Sequence, residues 1–374
     1  VKVASFIAAC ALVFLLPVSR AEDESLLEKA IDDGVAFLIQ DQNSNGSWGS
    51  ARQTKGLNIY APVPGAHDAF RAAVTAMAVS AIVDSGRADE PGAAADALEK
   101  AELYLLASLP KVRRADATAI YNVWTHAYGI QALTDMYPRS GKERKQQIRD
   151  LIAQQIDRLG RYASVDGGWG YYDFLVGAAR PASSAISFTT ATCLVALHEA
   201  SKIEGVEVPE EMVDRAVASI NRQRKSDHSY LYGEYLKARP MYGINRPAGS
   251  LGRSQACNYA LRIWGDETIK DPIIEEWLVR LGERNGWLDI GRKRPVPHEA
   301  WFAVAGYFFY YGHYYAALCT ELLPEAERAP HQEMLTGILL NLQEKDGSWW
   351  DFPFYSYHQP YGTAFAVMTL ARCR

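Results

Sequence analysis

The chain lacks paired cysteines. Its five, at positions 10, 193, 257, 319 and 373, are scattered with no Cys-x-x-Cys, which argues against a thiolate zinc site, and no other metal set is read. A basic surplus is missing too: 39 Lys and Arg stand against 44 Asp and Glu, a formal charge of −5, with no basic face for nucleic acid. At the N-terminus the apolar run Val3–Val18 follows Lys2 and precedes Ser19-Arg20-Ala21, and it is short for a bilayer span. This is the pattern of a secretory leader. The expectation is that residues 1–21 are removed and 22–374 form one domain, secreted or periplasmic, with no transmembrane segment. Export permits disulfides without demanding them. Cys193 and Cys257 are read as packed free thiols, and Cys319 and Cys373 stay open between thiols and a bridge.

What the chain does have is a repeated turn. "QNSNGSW" (42–48) and "QEKDGSW" (343–349) hold Gln, Gly and Trp at the same offsets, about three hundred residues apart. Trp169 in "VDGGWG", Tyr230 in "KSDHSYLYG" and Trp287 in "ERNGWLD" fall between them, at spacings near sixty or its multiples. One further copy, near residue 108, has decayed to "LLASLPKVRR". The chain reads as six units.

Each unit carries two helical patterns. Those before the turns (24–41, 92–107, 143–160, 208–224, 270–284 and 328–344) are amphipathic. Those after them (66–85, 118–137, 184–202, 250–265, 298–319 and 361–372) are Ala-rich and apolar nearly all round, so they must be buried on most sides. The expected fold is all-α: an α/α toroid with six outer and six inner helices. In each turn the Gly permits a positive φ, the Gln satisfies backbone groups at the outer helix end, and the Trp packs as a core staple.

The segments "FLIQDQNSNGSW" (37–48) and "ILLNLQEKDGSW" (338–349) resemble the QW repeats of the squalene–hopene cyclase and protein prenyltransferase superfamily. The resemblance implies the same toroid and says little about activity. The Asp-x-Asp-Asp acid of the cyclases is absent, since adjacent aspartates occur only at Asp32-Asp33. "GRKRPVPHEAW" (291–301) is similar in place and outline to the prenyltransferase diphosphate and zinc segment. There His298 stands for Asp, Ala300 for Cys and Trp301 for the aromatic, which removes the thiolate that a cysteine prenyltransferase needs.

The inner helices begin with "HDAFR" (67–71), "YNVWTH" (121–126), "SFTT" (187–190), "GRSQ" (252–255), "HEAW" (298–301) and "YGTA" (361–364), which a toroid opens onto one mouth. Converging helix N-termini with Arg71, Arg253, Arg292 and Arg294 suit an anionic group. The proton carriers expected are His298 or Glu299, with His67, Asp68, His126 and His358 as alternates. Trp124, Trp301, Tyr307, Tyr311 and Tyr361 are the candidate ligand-lining aromatics, able to hold a carbocation or stack a sugar. No cofactor is identified. The partner expected is a small-molecule, lipid or glycan ligand, turned over by an enzyme or held by a non-catalytic scaffold.

Overall fold

The computed structural model describes residues 20–56, 63–173 and 185–374, with side chains from residue 24 onward; the proposed leader, residues 1–21, lies almost wholly outside them. Among the described residues the structure is mostly helical. There is no sheet, only isolated bridges such as Ala119–Tyr172 and Ile186–Gly233.

The amphipathic patterns form α1 (Arg20–Asp41), α3 (Ala93–Ser108), α5 (Lys142–Tyr162), α7 (Glu210–Gln223), α9 (Asp271–Glu283) and α12 (Glu325–Leu340). In α7 the buried face is Val213, Ala216 and Ile220, a 3–4 spacing that leaves Glu210, Glu211 and Asp214 in solvent. The apolar patterns form α2 (Pro64–Ser85), α4 (Asn122–Arg139), α6 (Ser187–Ser201), α8 (Pro247–Ile263), α11 (Phe309–Glu321) and α13 (His358–Ala371), while α10 (Asn285–Asp289) is a short extra turn. The apolar helices touch in a closed circuit: α2 on α4, α4 on α6, α6 on α8, α8 on α11, α11 on α13 and α13 on α2. Each amphipathic helix leans on a neighbour in that circuit, and α1 touches α12 as well as α3. The helix α2 is long and apolar enough to cross a membrane, but 78% of its apolar window is buried inside the protein.

The repeated turns act as expected. Trp48, Trp169 and Trp349 are fully buried, and each indole N–H donates to a carbonyl ten residues back, on Leu38, Leu159 and Leu339 at 2.7, 2.8 and 2.9 Å. Their backbone N–H groups, with that of Tyr230, donate to hydroxyls on the apolar helices: Thr75, Thr190, Thr363 and Ser250. Gln343 bridges the Gly347 and Ala30 carbonyls, both at 3.0 Å, and so ties the last turn to α1. Gly347 has φ +86°, and a Cβ there would sit 2.4 Å from the Asp33 carbonyl oxygen. Only glycine lets the turn come this close. In the decayed copy, Leu109 is fully buried against Gly129 of α4 instead of an indole.

Two expectations fail in the fifth unit. Trp287 is no staple: it lies in α10 and is 39% exposed. The inner helix expected from residue 298 begins at Phe309. Pro295 and Pro297 precede it, and His298, Phe302 and Ala303 have φ values of 65°, 62° and 55°, left-handed backbone that no helix contains. The four described cysteines at 193, 257, 319 and 373 are all free, which closes the question left open at Cys319 and Cys373.

Candidate functional site

The N-terminal parts of α2, α4, α6, α11 and α13 border a cavity of about 400 Å³, within the range of small-molecule sites. Its wall is aromatic. Phe70 comes from α2, Trp124 and Tyr128 from α4, Phe188 from α6, Tyr311 from α11, and Tyr361 and Phe365 from α13. The turns add Tyr171, Tyr172, Tyr232, Phe352 and Phe354, and the loop before α11 adds Pro297, His298 and Tyr307. Among the described residues no Asp, Glu, Lys or Arg lines it.

The polar tips are spent on one another. The Tyr171 and Tyr232 hydroxyls hydrogen-bond, and Tyr121 donates to Tyr172. Tyr311 donates to the Phe188 carbonyl at 3.0 Å. His298 pairs Nδ1 with the Ala303 carbonyl at 2.7 Å. Since a carbonyl only accepts, Nδ1 carries the proton and Nε2 accepts from the Tyr307 hydroxyl at 2.9 Å. Burial pulls the His298 pKa below its ordinary value, so at neutral pH the ring is an uncharged base.

Behind Tyr361 lies Asp351, fully buried. Its Oδ1 accepts the Tyr361 hydroxyl and its Oδ2 accepts the Tyr310 N–H at 3.1 Å, capping α11. It forms no ion pair with a described Lys or Arg, and burial raises its pKa to about 7, against the opposing pull of these hydrogen bonds. A carboxyl that still holds a proton near neutral pH can donate one. At the rim, Lys55 sits 3.6 Å from the centroid of the Phe352 ring, and burial lowers its pKa to about 8.

The structure thus gathers Trp124, Tyr307, Tyr311, Tyr361 and His298 on one wall and leaves the other candidates elsewhere. Arg253 is fully buried and donates to the Gly249, Tyr230 and Ile244 carbonyls. Its guanidinium lies 5.5 Å from the Tyr232 and Phe308 rings, outside the cavity wall. Arg292 pairs with Asp289 at 2.5 Å, Arg294 is exposed and donates to the Ile290 carbonyl, and Arg71 lies half-buried beside Tyr104. The four arginines do not meet at a common mouth. His126 is fully buried between Gln155 and Asn122, with its pKa pushed down to about 4. His358 bonds the Tyr355 carbonyl, His67 pairs with Tyr357, and Asp68, Glu299 and Trp301 are exposed. Asp351, Tyr171, Tyr172, Tyr232 and Lys55 went unread in the sequence. A usable signal existed for three of them: Tyr171, Tyr232 and Asp351 each stand two residues after the aromatic of a repeated turn.

No protein-family model matches the chain, and no curated protein sequence is significantly similar to it. Solved structures do match in fold. Cellobiose 2-epimerase from Spirochaeta thermophila superposes with a TM-score of 0.61 at 12% identity, over 96% of this chain and 98% of that one. An α-1,6-mannanase of Salegentibacter sp., an inactive variant in complex with α-1,6-mannotetrose, gives 0.56 at 9% identity, over 93% and 98%. The type II terpene cyclase MstE from Scytonema, in complex with its substrate geranylgeranyl dihydroxybenzoate, gives 0.52 at 18% identity, over 95% and 99%. At such identities the likeness is one of fold: an all-α toroid-like architecture shared by terpene cyclases and glycan-acting enzymes.

Proposed function

We propose that the chain is a closed toroid of six outer and six inner helices, exported by its N-terminal leader, and an enzyme acting on an isoprenoid or similarly apolar chain. The observation that carries this reading is the cavity wall, whose polar tips are mostly paired and which bears no ionised group among the described residues. Such a wall desolvates an apolar chain, and its ring faces stabilise a carbocation, each contact contributing about 0.5–2 kcal/mol. Protonated Asp351 passes its proton to the Tyr361 oxygen as Tyr361 turns its own hydroxyl proton onto a substrate double bond, whose electron pair forms the new C–H bond, and Asp351 is left ionised. The cation is quenched when a neighbouring C–H proton passes to Tyr307, which hands its own proton to Nε2 of His298. Proton count and charge balance over the cycle once His298 returns its proton to Asp351 through solvent. The fold likeness to the terpene cyclase supports this reading. A glycan-acting toroid is the second reading, but among the described residues the cavity offers it no carboxylate pair to flank a glycosidic bond.

The test is incubation with farnesol, geranylgeraniol and squalene in heavy water. Product should carry deuterium. Tyr361→Phe and Asp351→Asn should each slow turnover by about a hundredfold or more while leaving binding, read from Trp124 fluorescence, within a few-fold. Turnover unchanged in Asp351→Asn, or no binding of any of the three, would sink the reading.

A further inference from the structure

Six of the large apolar side chains that stay exposed belong to two segments, one of them α10 and the loop that follows it: Tyr235, Met241, Tyr242, Trp287, Ile290 and Trp301. Trp301 is 72% exposed and Met241 66%, the two highest values among them. The segments touch. Phe302 lies 5.3 Å from the Trp287 ring and 6.0 Å from that of Trp301, and its backbone comes within 3.2 Å of where a Gly243 Cβ would sit. Neighbouring apolar groups that a folded chain leaves in water mark a contact surface.

Charge says what the surface meets. Residues 235–246 carry Lys237, Arg239 and Arg246 with no acid; residues 284–303 carry Arg284, Arg292, Lys293 and Arg294 against Asp289 and Glu299. These two stretches are net +5 in a chain of net −5. Asp289 takes up Arg292, Glu344 takes up Lys293 and Glu234 takes up Lys237. No described acid pairs with Arg239, Arg246, Arg284 or Arg294, and Arg284 lies 5.1 Å from the Trp287 ring. Indole and phenol rings interleaved with unpaired guanidinium groups match the headgroup layer of an anionic bilayer. There the rings sit at the apolar boundary and the cations meet phosphate.

We propose that segments 235–246 and 284–303 dock the protein on an anionic lipid surface, with Trp301, Met241 and Tyr242 entering the headgroup layer. Docking stands on these side chains alone; its purpose rests on the reading of the cavity. Pro297 and His298, in the same loop as Trp301, form part of the cavity wall. A chain drawn from the lipid would therefore enter beside His298 without crossing water.

The test is co-sedimentation of the full chain with phosphatidylcholine vesicles, with and without phosphatidylglycerol. Binding should require phosphatidylglycerol and weaken with salt. Arg239→Gln and Arg294→Gln should each lower the partition coefficient by roughly fivefold, from about 1 kcal/mol per basic residue near a charged surface. Trp301→Asp with Met241→Asp should lower it by about tenfold or more, with unchanged circular dichroism and melting, because these side chains are exposed. Leu103→Asp, at a 50% exposed site outside the two segments, should leave it unchanged. Three outcomes overturn the proposal: no vesicle binding, equal binding to neutral vesicles, or a dimer in solution that Trp301→Asp dissolves. Farnesol binding in vesicle-free buffer, which Trp301→Asp should preserve, separates a failure of docking from a failure of the cavity reading.

Discussion

Trp349 and Trp287 both follow a turn glycine, yet truncating them should have very different effects. Trp349 is fully buried, its indole N–H donates to the Leu339 carbonyl at 2.9 Å, and its backbone N–H is held by Thr363 at 3.0 Å. Trp349→Ala leaves a cavity between α12, α13 and α1 and a buried carbonyl without its donor. Large-to-small changes of this kind cost about 3–5 kcal/mol. Trp349→Phe keeps most of the packing and loses the donor, so it should cost about 1–3 kcal/mol. Trp287 is 39% exposed and packs on Phe302 at 5.3 Å, so Trp287→Ala should cost about 1 kcal/mol or less. Urea unfolding followed by circular dichroism orders the three through their midpoints, with the slope as a check on the denatured state. Equal midpoints for the two alanine variants would refute the claim that these turns staple the fold through a buried indole.

Three more predictions rest on single sites. Gly347→Ala, at φ +86° with a carbonyl 2.4 Å from the new Cβ, should destabilise by about 2 kcal/mol or more, whereas Gly337→Ala, in α12 with open space around it, should be neutral or stabilising by up to about 1 kcal/mol; thermal melts compare them. Native Cys193, Cys257 and Cys319 should resist iodoacetamide at pH 8, because burial shields them and raises their pKa, and in denaturant without reductant all four described cysteines should titrate as thiols. Asp351 has its pKa raised to about 7, so its stabilising contribution is complete below the ordinary carboxylate range and is lost as pH rises through about 7; Asp351→Asn should flatten the stability profile between about pH 4 and 7, measured by unfolding midpoints across that range.

The helices were legible because their signals are local. A sixty-residue period and the contrast between one-sided and all-round apolar patterns place α2, α4, α6, α8 and α13 within about four residues of where they start. The fifth inner helix was misread because its start is set from afar. The carboxylate that accepts the Tyr310 N–H is Asp351, 41 residues on in the chain, and the left-handed residues before it follow no apolar pattern. Arg253 looked like a rim cation for the same reason. The carbonyls that hold it include Tyr230, 23 residues away, and a sequence window does not show that a guanidinium will find its acceptors in the core. In the candidate site, Trp124, Tyr307, Tyr311, Tyr361 and His298 were read from their places on the expected inner helices, whereas Phe70, Tyr128, Phe188 and Phe365 on helices and Tyr171, Tyr232 and Asp351 after the turns were not.

Those turn residues make the repeat matter for chemistry as well as for stability. An indole pinned by a carbonyl ten residues back, and a backbone N–H pinned by a helix hydroxyl, fix the direction in which the chain leaves the turn. At three of the turns the residue two past the aromatic lies in the cavity wall or directly behind it. At Trp169 that residue is Tyr171 and at Tyr230 it is Tyr232, whose hydroxyls meet in the cavity wall. At Trp349 it is Asp351, a carboxyl set behind Tyr361 by the same device. Where two turns place a phenol in the cavity wall, the third places a buried carboxyl whose pKa is raised to about 7, while Gly, Gln and Trp hold the turn.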